Sequence, residues 1–564
     1  MKKFLILILV LSLALTSLVS CDKDGEGSDD GGVTVNTDFE LDESEAFTDR
    51  DLNTSYDESS STVITLSGES ANVIGNGASV SGNTVTINSN GSYIISGSLT
   101  GMIIVDAPEA AKPHIILKGA SINSASSAAL YVKECDKLVV TLEGENTLAT
   151  LGDYVAIDEN NIDAAVFSKQ DLSFNGAGSL AVSSPSGHGI VSKDDLVIAG
   201  GSYTVNAASH GLDANDSVKI TASKLNITAG KDGIHAENAD DSTLGFIYIN
   251  SSDIVTVAGG DGISAGYTVQ IESVSFDIST SASAASDSYK GIKSVGTLLI
   301  NGGEFKINSS DDALHSNTSA VINDGSFEIS TGDDGVHADE SLAIRGGVIN
   351  ITKSYEGIEA LDIEISGGDI TIKASDDGIN AAGGNDESGY GGGFGQSDGF
   401  GGGRPGGRPG GMGGGMPGGS SSSNGSITIS GGKIYMNASG DGIDANGSLT
   451  ISGGEITVCG PTSGDTSVLD YDNEATITGG TFIGTGAQMM AQTFSSSSQG
   501  VLALTVGSRT AGTEITISDS DGNLIIKYSP TLSYQLVVIS TPELRQGETY
   551  TVTVGSDSGE FEAK

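Results

Sequence analysis

The sequence predicts an all-β chain wound as a parallel β-helix, a solenoid of about 22 residues per coil closed by a small C-terminal antiparallel β cap. Three observations predict it. A phrase of two short alternating strands around a glycine pair recurs along the chain, and a glycine or alanine corner recurs at a near-constant step. Glycine makes up 82 of 564 residues, about twice average usage, while proline is only 9, which is neither collagen nor a proline-rich disordered chain.

The phrase is clearest at Ser448 to Val458, where Leu449 and Ile451, then Ile456 and Val458, alternate with polar residues around Gly453-Gly454. It returns at Asp195 to Val205, Thr297 to Ile307, Ser341 to Ile351, Asp362 to Ile372 and Ser426 to Met436. A period of two within each strand, with glycine where the turn needs positive φ, reads as β-structure and not helix.

The corner glycine or alanine falls at Gly189, Gly211, Gly233, Gly262, Gly291, Ala313, Gly335, Gly357, Gly378 and Gly442, in steps of 22, 22, 29, 29, 22, 22, 22, 21 and 64. Removing the 42 residues of the glycine-rich stretch 383–424 turns the last step into 22. Three short strands fit that length as one coil. A leucine-rich repeat would need regular leucines and a helical return, and neither is visible. Winding the chain this way stacks Ile190, Leu212, Ile234, Ile263, Ile292, Leu314, Val336, Ile358, Ile379 and Ile443 in one inward column. Each such aliphatic contributes about 1.5 to 3 kcal/mol by burial.

The ends are expected to differ. Thr62 to Leu142 reads as irregular strands that start the stack, and the coils are placed at 61–496. The cap is placed at 497–564, with alternating runs at Leu502 to Val506 and Leu532 to Ile539 and a hairpin signal at Asp521-Gly522. The stretch 383–424, with Arg404-Pro405 and Arg408-Pro409, cannot bury enough to fold alone; it is expected as a disordered insertion or, alternatively, as a flap over a ligand.

Residues 1–20 form an export signal, with basic Lys2-Lys3 followed by the apolar run Phe4 to Leu15. Leu18-Val19-Ser20-Cys21 resembles a bacterial lipobox, which makes Cys21 the lipidation site and 21–60 an acidic, disordered tether; the plainer alternative is secretion with an incidental cysteine. The expected location is extracytoplasmic, on a membrane-anchored lipoprotein at the bacterial cell surface. The two remaining cysteines, Cys135 and Cys459, would lie many coils apart and are expected as buried apolar residues without a bridge.

The net charge is −47, from 26 basic and 73 acidic residues, which argues against nucleic acid as a partner. The acids are patterned. Before the corner residue stand His188, His210, Asp232, Asp261, Lys290, Asp312, Asp334, Glu356, Asp377 and Asp441; two places after it stand Asp213, His235, Ser264, Lys293, His315, His337, Glu359, Asn380 and Asp444, with Asp470 as a continuation. Asp311, Asp333 and Asp376 double the first column. Carboxylates on coils about 4.8 Å apart repel by about 3 to 4 kcal/mol at an effective dielectric of about 20. Calcium fits the need, because it accepts irregular oxygen cages. The expected metal set is Asp311, Asp312, Asp333, Asp334, Glu356, Glu359, Asp376, Asp377, Asn380, Asp441 and Asp444. Zinc would prefer His235, His315 or His337, but no cysteine supports it. The bland reading is that each aspartate caps its own turn.

Several stretches together resemble the bacterial carbohydrate-binding domain family of clostridial type: Ala164 to Phe174, Ser192 to Asp195, Asp311 to Asn317, Asp333 to Asp339, Lys353 to Glu359, Asp376 to Ala382, the glycine-arginine-proline insertion and Leu469 to Asp472. The resemblance implies a lipoprotein with a right-handed parallel β-helix that binds cellulose- and pectin-like polysaccharides, and it places calcium at the doubled aspartates and their neighbours. It carries over no catalytic residue.

The function expected is therefore a surface-anchored, monomeric, non-catalytic protein that binds an acidic or cellulose-like polysaccharide with calcium and touches the membrane only through Cys21. One alternative is a calcium-dependent pectate lyase, whose base would come from Lys290, Lys293 or Lys353. Another is a β-helical adhesin or spacer with no glycan site. The absence of tryptophan and the 5% aromatic content give little support to cellulose binding on an aromatic platform.

Overall fold

The computed structural model describes residues 40–157, 160–283, 286, 288–382, 424–464 and 466–564. The described chain is almost entirely β, and its strands pair in parallel with their counterparts one coil on. Leu212–Ala214, Ser217–Thr221 and Lys224–Ala229 make the three sides of one coil. The first pairs with Ile234–Ala236, while the other two pair with successive parts of Phe246–Ala258.

The inward column forms as expected. Ile190 pairs with Leu212, Leu212 with Ile234, Ile234 with Ile263, and Ile263 with Ile292. The series continues through Leu314, Val336, Ile358, Ile379 and Ile443. Every member is buried. The register crosses the glycine-rich stretch without a slip, because Asp362 pairs with Ser426 and Ile379 with Ile443. The stretch itself, 383–423, lies outside the described residues, as do the export signal, Cys21 and 21–39.

Two kinds of glycine make the corners. Gly454 takes φ +85°, where a side chain would be strained. Gly211 has no such need; a Cβ there would sit 2.6 Å from the carbonyl oxygen of Gly233 and against a methyl of Ile227. Its smallness lets one coil close on the next.

At the N-terminal end the strands fold back. Thr62–Gly68 pairs antiparallel with Ala71–Ile74, and Ala78–Ser81 with Thr84–Ile87. At the other end Val501–Arg509 and Thr481–Gly486 both pair antiparallel with Tyr534–Ser540, which ends the parallel stack. Ile515–Ser518, Leu524–Tyr528, Thr549–Val554 and Asp557–Glu562 form a separate four-stranded antiparallel sheet. Asp521-Gly522 lies in its first hairpin, with Gly522 at φ +83°. Cys135 and Cys459 are free and buried; the Cys459 Sγ lies 2.9 Å from the Tyr528 hydroxyl of that sheet.

The tether expectation needs correction over 40–60, which docks on the coils. Glu43–Ala46 and Asp49–Leu52 are one-turn helices, the second closed by a Thr48/Asp51 capping box. Asp51 is buried against the Lys137 Nζ at 2.6 Å and the Ser173 hydroxyl, and Asn175 donates to its carbonyl at 2.9 Å. Phe47 packs edge-on to Tyr248, with ring centroids 5.9 Å apart. The anchors are scattered polar contacts and one small apolar cluster of Leu41, Ala46 and Phe47 with Val197 and Tyr248, so the segment carries no apolar period.

Candidate functional site

The corner register turns the acidic pattern into vertical neighbours. Asp213 pairs with His235, His235 with Ser264, Ser264 with Lys293, and Lys293 with His315. The column continues through His337, Glu359, Asn380, Asp444 and Asp470. The first column is tied by backbone bonds beside it: the N–H of Gly291 donates to the carbonyl of Asp312, Ala313 to Asp334, Gly335 to Glu356, Gly357 to Asp377 and Gly378 to Asp441.

The aspartates immediately before the corner do cap backbone, but on the next coil and not in their own turn. Asp232 accepts from the N–H of Asp261 at 2.8 Å, Asp261 from Lys290 at 2.7 Å, Asp312 from Asp334 at 3.0 Å and Asp334 from Glu356 at 3.1 Å. Asp377 accepts likewise from Asp441, and Asp441 from Ser467. These carboxylates therefore join coils. That accounts for the inner member of each Asp-Asp pair; of the outer members, Asp311 caps its own turn by accepting from the N–H of Asp312 at 3.0 Å.

Along the edge the neutralising groups change. Across the first coils the rings of His188, His210 and His235 stack with centroids 5.0 and 4.5 Å apart, flanked by Asp213 and Asp232. Burial opposes charge on His235, but hydrogen bonds to Asp213 and Glu237 raise it to about 10; burial likewise opposes the charge on Asp213, which the same bond brings down to about 2.

In the middle coils a lysine does the work expected of an ion. The Lys290 Nζ lies 2.9 Å from both Asp311 Oδ1 and Asp312 Oδ2. Although burial disfavours both charges, the pairing raises the ammonium and holds Asp312 well below the usual carboxylate range. His315 Nδ1 adds a contact to Asp312 Oδ2 at 2.8 Å. His337 is ringed by Asp334, Asp339 and Glu359 at 3.1 to 3.2 Å, and despite burial the hydrogen bonds to Asp334 and Asp339, with the Glu359 carboxylate close beside Nδ1, raise it well above its ordinary value. Asp312, Asp334 and His337 are fully enclosed.

Among the described residues no ion pair reaches Glu356, and none reaches the carboxylates of this edge beyond Glu359, which still faces His337. Burial, then the charges of Glu359 and Asp334, push Glu356 to about 10, and Asn380 donates to it at 2.9 Å. Burial and neighbouring carboxylates push Asp377 to about 8, Asp444 to about 7 and Asp441 to about 6. Asp377, Asp441 and Asp444 each present an oxygen within 4.8 Å of the others. Among the described residues no ion pair reaches these three. An all-oxygen set that is partly buried and lacks a counter-charge suits a hard divalent cation such as calcium.

All eleven metal residues expected from the sequence thus lie on one edge, but they are not equivalent. Asp311 and Asp312 are paired to Lys290, Asp334 and Glu359 face His337, and Asp377, Asp441 and Asp444 form the set without a cation. Sequence reasoning missed Asp339 as the partner of the His337 Nε2; its place two residues beyond the histidine in Asp333 to Asp339 was the available signal.

The fold and this edge define an all-β solenoid with an acidic, histidine-bearing corner. Residues 81–335 match the family model described as Carbohydrate-binding domain-containing protein. A relative of that name from Acetivibrio thermocellus (strain ATCC 27405) is 31% identical over 136 residues, which are 23% of this chain and 48% of the relative. The chain thus spans about half the length of that curated relative. A solved structure described as the polysaccharide lyase-like protein from C. thermocellum, a gadolinium derivative, is 31% identical with a TM-score of 0.40, covering 43% of this chain and 96% of its own. The matched segment contains Asp311 to Asp334; the carboxylates from Glu356 onward lie beyond it.

Proposed function

We propose that the chain is a surface-anchored, non-catalytic polysaccharide-binding protein, a right-handed β-helix of about 22 residues per coil that holds calcium on its acidic edge and binds an acidic glycan of the galacturonan kind. The observation that carries the glycan reading is the carbohydrate-binding family match over 81–335. Calcium is supported by Asp377, Asp441 and Asp444, whose oxygens converge without a counter-charge. Bound there, a calcium ion would neutralise the edge and offer open coordination positions to a sugar carboxylate. Asp312 and Asp334 are enclosed and would not touch a glycan.

An acidic glycan is favoured over a cellulose-like one because the aromatic ladder is spent inside. Phe276, Phe305 and Phe327 stack at 6.0 and 4.5 Å, and all three are buried, so they fill core and offer no stacking platform. The non-catalytic reading is supported at one of the three lysines that could serve as a base: a lyase needs a free Lys or Arg beside the metal, whereas Lys290 is charged and tied to Asp311 and Asp312.

Isothermal titration with galacturonan and with cello-oligosaccharides, each repeated in EDTA, tests the proposal. The expected result is galacturonan binding that EDTA abolishes. Unsaturated uronate absorbance developing on pectate would replace the binding reading with the lyase, and no binding to either glycan would favour the spacer.

A further inference from the structure

The carboxylates around His337 differ in chemistry from the oxygen-only set farther along. His337 Nδ1 lies 3.2 Å from Asp334 Oδ2 and 3.1 Å from Glu359 Oε2, while Nε2 lies 3.1 Å from Asp339 Oδ1. A ring nitrogen carries at most one hydrogen. The Nδ1 bond goes to Asp334, and the Glu359 Oε2 beside it is buried and receives no hydrogen bond. Glu359 is only 5% exposed, so water cannot readily serve that oxygen. Two buried carboxylate oxygens thus compete for one ring hydrogen, which leaves Glu359 Oε2 with an ion-pair contact but no hydrogen bond, a shortfall that a bound cation would relieve.

We propose that Asp334, His337 and Glu359 form a site for a divalent transition ion of the zinc class, separate from the calcium set at Asp377, Asp441 and Asp444. The three donor atoms lie within 4.8 Å of one another. Donors about 2.0 to 2.2 Å from a tetrahedral ion are spaced by roughly 3.3 to 3.5 Å, and the separations of 3.1 and 3.2 Å from Nδ1 are close to that. One imidazole and two carboxylates suit zinc, whereas calcium takes oxygen donors. Asp339 adds the outer feature of such sites. By accepting from Nε2–H it fixes the tautomer that leaves Nδ1 free for metal once its proton has gone to solvent.

The sequence argued against zinc because no cysteine accompanies the histidines; a carboxylate pair supplied by adjacent coils removes that objection. Val336–Ile344 brings His337, and Ile358–Ile365 brings Glu359 directly above it in register. The ion would cross-link two coils and so couple metal binding to folding. The neighbouring group of Asp312, His315 and His337 is a poorer candidate, since the Lys290 ammonium already sits 2.9 Å from Asp312 Oδ2. This assignment does not depend on glycan binding.

The test uses the full chain, produced with zinc supplied, dialysed against millimolar calcium, and assayed by plasma mass spectrometry and by anomalous diffraction at the zinc edge. About one zinc per chain is expected, with its anomalous peak between Asp334, His337 and Glu359. His337→Gln and Glu359→Gln are each expected to lose at least tenfold in zinc affinity, while Asp444→Asn keeps zinc and loses calcium. Zinc retained in His337→Gln at the wild-type level, an anomalous peak elsewhere on the histidine edge, or no zinc in the wild type would overturn the assignment. Should His337→Gln fail to fold by circular dichroism, Glu359→Gln and the wild-type peak position still decide it.

Discussion

Asp334 accepts a hydrogen bond from the backbone N–H of Glu356 at 3.1 Å, across 22 positions of sequence and one coil of the solenoid. The same relation links Asp312 to Asp334 and Asp232 to Asp261. These aspartates are thus rungs between coils, and the repulsion they create is met by Lys290 and the histidines in the early and middle coils. It is left unmet at Asp377, Asp441 and Asp444.

Removing Lys290 should expose how much the middle coils depend on it. Lys290→Met would leave Asp312 charged and enclosed. Breaking one side of a buried pair costs about 3 to 5 kcal/mol. Urea unfolding followed by circular dichroism should show a loss of that order, and Lys290→Met combined with Asp312→Asn should recover part of it. An unchanged midpoint for the single variant would mean that Asp312 is neutralised by another group.

The late coils should be pH-sensitive in the opposite way to a salt-bridged acid. Asp377 and Asp444 are raised to about 8 and 7, so the folded state favours their protonated forms. The stability they contribute is complete below their ordinary value near 4 and is lost as pH rises through 7 to 8. In EDTA the melting temperature should fall between pH 5 and pH 8, and calcium should remove most of that fall. A melting curve indifferent to both pH and calcium would contradict the site.

The early coils carry the ordinary signs. His235 is raised to about 10, so its contribution is complete below about 6.5 and is lost as pH rises through 10. Asp213 is lowered to about 2, so its contribution is present above about 3.9 and is lost as pH falls through 2. His235→Ala should abolish the alkaline loss, which thermal melts from pH 6 to pH 10 would read.

Much of this was legible in the sequence, for physical reasons. The inward column from Ile190 to Ile443 could be found because parallel stacking repeats one geometry, so identical positions recur at one step. What escaped was everything that depends on side-chain reach. Lys290 was legible only as a lysine in the acidic column, a candidate base; that its ammonium is shared between Asp311 and Asp312 depends on the reach of its side chain. The docking of Asp51 on Lys137 and Ser173 has no periodic trace at all. The carboxylates divided into three groups because their partners divide, and a column of like letters does not reveal its partners.

Corner size offers a test of the coil geometry itself. In Gly211→Ala the added methyl meets the Gly233 carbonyl oxygen at 2.6 Å together with a side-chain methyl of Ile227. Overpacking of this kind costs about 1 to 3 kcal/mol. Denaturant unfolding should place the loss in that range; a neutral or stabilising result would mean that the coils do not close on one another there.

The most direct measurement is calorimetric titration of galacturonan into the calcium-loaded chain beside an Asp441→Asn/Asp444→Asn variant of wild-type circular dichroism. The account predicts binding by the wild type that disappears in EDTA and in the variant alike. Binding of equal strength in all three would contradict it, because the glycan would then be held without the calcium edge.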